Sequence, residues 1–180
     1  MQALQAVLLS TLVSLALATN TTVRYFSTKE GCVGNYFQCS NIPIGYCCQA
    51  SSPWCIYVDC PDCISHGVTA YSLLTHANGE CSGDPIQPTC ASTSQNNICC
   101  SVDYNYQPDL CSTMVTPNIG NKLEKEECLG VVQPDTLVYT DSNGVTNDFH
   151  LPNGTFERAV QFANVSGWDG LADFLGQANS

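Results

Sequence analysis

GCVGNYFQCSNIPIGYCCQASSPWCIYVDC, residues 31–60, places six cysteines in one short stretch centred on the adjacent pair Cys47-Cys48. A module of this size cannot bury enough apolar surface to offset its chain entropy, so cross-links must make up the difference. The series runs Cys32, Cys39, Cys47, Cys48, Cys55, Cys60, with gaps of 6, 7, 0, 6 and 4 residues. A second series follows the same order: Cys81, Cys90, Cys99, Cys100, Cys111, Cys128, with gaps of 8, 8, 0, 10 and 16. We therefore expect two tandem cysteine modules, 24–64 and 78–130, joined by a linker over 65–77. The first module's gaps suit a knot in which first pairs with fourth, second with fifth and third with sixth cysteine. Six cysteines allow fifteen pairings, and spacing does not choose among them. The chain holds thirteen cysteines. Two series of six leave one over, and Cys63 is the candidate: an unpaired thiol, an intermolecular bridge that makes a disulfide-linked dimer, or the sixth cysteine of the first module in place of Cys60.

Outward from this frame, the N-terminus explains why the cysteines can be oxidised. Leu4–Leu17 is an uncharged apolar run ending in Ala16-Leu17-Ala18, a small-x-small cleavage pattern, so residues 1–18 read as a secretory signal peptide. All thirteen cysteines lie beyond it, where an oxidising compartment pairs them. Three sequons begin at Asn20, Asn153 and Asn164 and mark candidate glycosylation sites. No long apolar tail closes the sequence, so no membrane anchor is expected and the product should be extracellular.

Charge narrows the partners. Sixteen Asp+Glu against five Lys+Arg give a net charge of −11, which repels phosphate backbones and anionic headgroups. Nucleic acid and membrane surfaces are thus disfavoured; an extracellular protein or polysaccharide is the expected partner.

Residues 131–180 lack cysteine but hold Phe149, Phe156, Phe162, Trp168 and Phe174. Thr136–Thr140 alternates as a strand, Asn143-Gly144 is a hairpin turn, and Val145–Leu151 returns as its partner. Phe156, Ala159, Val160 and Ala163 are spaced as a short helix that Gly167 breaks, and Trp168, Leu171, Phe174 and Leu175 suggest one more short turn. Such a tail is marginal alone and should dock on the cysteine-rich part. The fold class expected is small and disulfide-rich, mainly β and loop, with a C-terminal hairpin and short helix.

Chemistry-bearing patterns are few. Cys60-Pro61-Asp62-Cys63, followed by His66, has the spacing of a zinc half-site, but a second half-site is needed, so these cysteines read as disulfides and no metal or cofactor is expected. His66, His76 and His150 lack a Gly-x-Ser-x-Gly elbow, so no catalytic residue is assigned and the protein is read as no enzyme. Aromatics carry more weight, since Tyr and Trp stack on sugar faces. Trp54, Tyr57, Tyr104 and Tyr106 are the carbohydrate-binding candidates. Asn96-Asn97-Ile98-Cys99-Cys100-Ser101 with Tyr104 and Tyr106 resembles the core of hevein-type chitin-binding modules, which implies chitin or glucan binding. Cys39, Cys47-Cys48, Cys81, Cys90, Cys99-Cys100 and Cys111 follow the cysteine order of fungal hydrophobins, which implies a surface coat. The signal peptide, paired vicinal cysteines and Asn/Thr/Ser-rich loops together resemble the small secreted, effector-like cysteine-rich proteins of filamentous fungi. That resemblance implies a non-enzymatic extracellular binding role.

Overall fold

The computed structural model describes residues 20–28, 30–51, 55–63, 71–76, 79–83, 90–92, 98–102, 110–117 and 127–178. The expected signal peptide and Trp54, Tyr104 and Tyr106 lie outside this set. Among the described residues the elements are β1 (Asn20–Phe26), β2 (Tyr36–Pro43), β3 (Tyr46–Ser51), β4 (Tyr57–Cys60), β5 (Tyr71–His76), β6 (Cys90–Ser92), β7 (Ile98–Ser101), β8 (Leu110–Pro117), β9 (Gly130–Val132), β10 (Thr136–Thr140), β11 (Thr146–His150) and α1 (Phe156–Ala178). They build a disulfide-rich, mainly β fold of two sheets. One has the order β11-β10-β2-β1-β4-β7, the other β6-β5-β8-β3-β9. All pairings are antiparallel except β3 with β9.

The sheets face each other because strand side chains alternate between faces. Opposed residues form a row across the six-stranded sheet, Cys100, Val58, Tyr25, Phe37, Leu137 and Phe149. The first five are buried, and they share one core with Cys48 and Ala50 of β3, Leu73 of β5 and Cys111 and Val115 of β8. Tyr25 bridges the layers, its hydroxyl donating to the Cys48 carbonyl at 2.6 Å.

The two cysteine series do not fold as separate modules. β7, from the second, joins the sheet of β1, β2 and β4; β3, from the first, pairs with β8. The stretch read as a linker holds β5, paired on both sides. Leu73 and Leu74, adjacent and therefore on opposite faces, are both buried, so this strand has cover on each side.

The disulfides follow this interleaving and not a knot within each series. They join Cys32 to Cys99, Cys39 to Cys48, Cys55 to Cys111 and Cys60 to Cys63. Cys63 is therefore bonded and is not the leftover thiol; its short turn after β4 brings it back to Cys60. Cys47 meets both Cys81 and Cys128, and Cys100 is oxidised as well.

The tail docks as a third component. β10 adds to the β2 edge and β11 pairs outside it. The turn between them is closed by Asp141, whose amide donates to the Val145 carbonyl at 2.9 Å and whose Oδ1 accepts from the Asn143 and Val145 amides. Phe156, Ala159, Val160, Leu171 and Leu175 of α1 complete the core over β2 and β10. Phe156 meets Phe37 edge-on at 4.9 Å and Trp168 stacks on Tyr139 at 5.7 Å. As expected, Gly167 interrupts the helix, with φ 71° and ψ −178°, and the further turn holding Trp168, Leu171, Phe174 and Leu175 extends as a second helical stretch to Ala178.

Candidate functional site: the open face of the six-stranded sheet

The alternation that sends Tyr25 and Phe37 inward sends their neighbours to the opposite face. Two rows cross that face from β7 to β11. One is Ser101, Tyr57, Phe26, Tyr36, Val138 and Asp148; the other is Cys99, Asp59, Arg24, Gln38, Thr136 and His150. Ser101, Cys99, Asp148 and His150 are exposed, and Tyr57, Tyr36, Arg24, Gln38 and Thr136 are half-buried. Phe26 is sealed beneath the Tyr36 ring, whose centroid is 5.3 Å away.

Arg24, one of five cations in the chain, organises the centre. Its guanidinium carbon sits 4.8 Å above the Tyr36 ring, and its Nε donates to Gln38 Oε1 at 3.1 Å. Nη1 lies 3.9 Å from Oδ2 of buried Asp59. Burial raises the Tyr36 hydroxyl above its ordinary range, against the pull of Arg24. One side of the Tyr36 ring is thus taken by Arg24 and Phe26 packs against it, which leaves Tyr57 as the freer aromatic. Tyr36 and Tyr57 flank Phe26, so they stand about 10 Å apart, two strand spacings.

Of the residues singled out from sequence, Tyr57 belongs to this face and Trp54, Tyr104 and Tyr106 lie outside the described residues. His150 is exposed on the same face, whereas His76 is buried on β5. Tyr36, Arg24 and Gln38 escaped sequence reasoning. The alternation Tyr36-Phe37-Gln38-Cys39 contained the signal, because a buried cysteine at 39 puts 36 and 38 outside. The asparagines of two sequons, Asn20 and Asn153, are exposed; Asn164 lies within α1.

A concavity of about 430 Å³ lies elsewhere, between the end of β2, β9 and the Asn153-Gly154 turn. Its acid, Asp135, is already engaged: it accepts from the Ser40 amide at 3.1 Å, the Ser40 hydroxyl at 2.9 Å and the Thr136 hydroxyl at 2.9 Å. That pattern clamps β2 to β10 and reads as architecture.

The fold and this face define a small, disulfide-rich, mainly β protein with an open sheet surface of mixed polar and aromatic character. No family model, curated protein or solved structure matches this chain. Among the described residues, no helix is long and apolar enough to cross a membrane.

Proposed function

We propose that this is a secreted, non-enzymatic binding protein of the effector-like kind, which engages an extracellular protein through the open face of its six-stranded sheet. The observation that carries the reading is the pairing of a heavily cross-linked scaffold with a sheet face holding Tyr57, Tyr36, Arg24 and Gln38. Rigid aromatics and an arginine held by neighbours lose little freedom on binding, which is what interface anchors require. Disulfides at this density fit an oxidising extracellular setting. The acidic chain favours a neutral or basic partner surface.

Carbohydrate binding is the second reading, favoured by the half-buried Tyr57 opposite the exposed Ser101. The Arg24 contact over Tyr36 weighs against it, since a sugar would need that ring face. One experiment separates the two. Oxidised protein secreted with its own residues 1–18 is offered to chitin, to β-glucan and to intact cells, beside a Tyr57→Ala/Asp148→Arg variant. Cell-surface binding that the variant loses, without retention on either polymer, supports the protein-partner reading. Retention on a polymer that the variant loses supports the sugar reading. Absence of the protein from the medium, or cell binding untouched by the variant, overturns the proposal.

A further inference from the structure

Thirteen is an odd number, so one cysteine must remain without an intramolecular partner. The topology says where. Four bridges take Cys32, Cys99, Cys39, Cys48, Cys55, Cys111, Cys60 and Cys63, and the bond that oxidises Cys100 takes two more, which leaves three. Cys47, Cys81 and Cys128 instead form one cluster, with all three Sγ atoms within 4.8 Å of one another. Cys47 is the hub: its Cα is 6.0 Å from that of Cys81 and 6.3 Å from that of Cys128. Both spans fall inside the range a disulfide bridges, about 4.4–6.8 Å. The cluster sits apart from the main core, beside Leu74 and Met114 on the other face of the five-stranded sheet. Its members differ in access: Cys47 is fully buried, Cys81 is 5% exposed, and Cys128 is partly exposed.

We propose that Cys47, Cys81 and Cys128 form a thiol–disulfide exchange centre whose accessible form presents the Cys128 thiol for covalent capture of a disulfide-bearing molecule. In one form Cys47 is bonded to Cys81 and Cys128 is the thiol; in the other Cys47 is bonded to Cys128 and the thiol is the buried Cys81. To interconvert them, the Cys128 thiolate attacks Cys47 Sγ. The Cys47–Cys128 bond forms as the Cys47–Cys81 bond breaks, and Cys81 leaves as a thiolate that takes up the proton Cys128 released. Nothing is oxidised or reduced overall. Capture follows the same chemistry. The Cys128 thiolate attacks an external disulfide, a mixed disulfide forms at Cys128, and the displaced thiolate departs with the proton. The net charge of −11 favours a cationic or neutral disulfide as the co-reactant. One form therefore exposes a reactive group and the other conceals it, with no change in bond count.

The test uses the oxidised full-length secreted protein and cystamine, a dicationic disulfide. Acid quenching, denaturation and alkylation should find one thiol per molecule, divided between Cys81 and Cys128 and never at Cys47. Cystamine should add one cysteamine per molecule, at Cys128. Cys81→Ser and Cys128→Ser each leave an even number of cysteines, so both should fold, contain no thiol and lose the adduct. Cys81→Ala serves as a second variant for the same loss. The proposal is overturned if the thiol resides at one cysteine alone or at a cysteine outside the cluster. It is equally overturned by a monomer with no thiol, or by three alkylatable thiols that hold a metal ion.

Discussion

Single tyrosines show how much each layer depends on one polar atom. The Tyr25 hydroxyl, fully buried between the sheets, satisfies the Cys48 carbonyl. Tyr25→Phe leaves that carbonyl buried without this donor, and we expect a loss of about 1–3 kcal/mol in denaturant unfolding. Tyr139 offers a test by pH. Its hydroxyl donates to Asp169, and that bond together with burial raises its pKa from 10.0 to about 12. The folded chain keeps a proton over that interval which the unfolded chain has released. The resulting stability is therefore complete below about pH 10 and declines as pH rises, by up to about 1.4 kcal/mol per pH unit. Denaturation midpoints at about pH 9 and about pH 11 should diverge in the wild type, and diverge less in Tyr139→Phe. Burial also raises Tyr25, so the variant should retain part of the slope. At this scale the sequence was readable for residue type and unreadable for direction. Tyr57 stands out beside Trp54 in the first cysteine series, whereas Tyr36 and Arg24 do not, because only the partner strands on either side of β1 and β2 reveal which face is open. The vicinal pairs held a clearer message than their spacing. Adjacent residues in a strand point oppositely, so Cys48 reaches the core and bonds Cys39 while Cys47 points away to Cys81 and Cys128.

Elements were legible where local chemistry dictates them. Asn143-Gly144 marked the β10–β11 hairpin, and the 3.6-residue spacing after Thr155 marked the start of α1. β5 carries no strand signature because Leu73-Leu74 breaks the two-residue alternation, which happens when a strand is covered on both faces. The break of α1 is legible at Gly167 and so is the further turn after it, whose length, to Ala178, is fixed by Leu171 and Leu175 reaching the core. Gly167 holds φ 71° with ψ −178°, a region essentially closed to residues with a Cβ. An added methyl would meet no neighbour within 4 Å, so the penalty of Gly167→Ala is conformational alone. We expect it to cost about 1–3 kcal/mol and to lower the thermal midpoint, by straightening α1 and pulling Trp168 off Tyr139. Near-ultraviolet circular dichroism of that stacked pair should weaken in proportion.

For the molecule as a whole, what matters about a disulfide is how much chain it encloses and what it joins. Cys55–Cys111 spans 56 residues and ties the segment leading into β4 to β8 of the opposing sheet. Cys60–Cys63 spans 3 and closes a single turn. If both act by restricting the unfolded chain, removing the first should cost about 4 kcal/mol and the second about 2 kcal/mol. The comparison needs paired substitutions, Cys55→Ser/Cys111→Ser against Cys60→Ser/Cys63→Ser, because single changes would release thiols into the Cys47 cluster and scramble it. The difference also distinguishes architectures. In two independent modules, no bond joining Cys55 to Cys111 would matter to the tail, and the Trp168 environment would survive its loss. In the interleaved sheets described here, β3 and β8 share one core with β2, β10 and α1. Trp168 fluorescence and far-ultraviolet dichroism should then unfold together, at a denaturant midpoint lowered for both probes. A Trp168 transition unmoved by the Cys55→Ser/Cys111→Ser change would mean that the tail and the six-stranded sheet fold without the second sheet. The open face would then be the surface of a smaller unit.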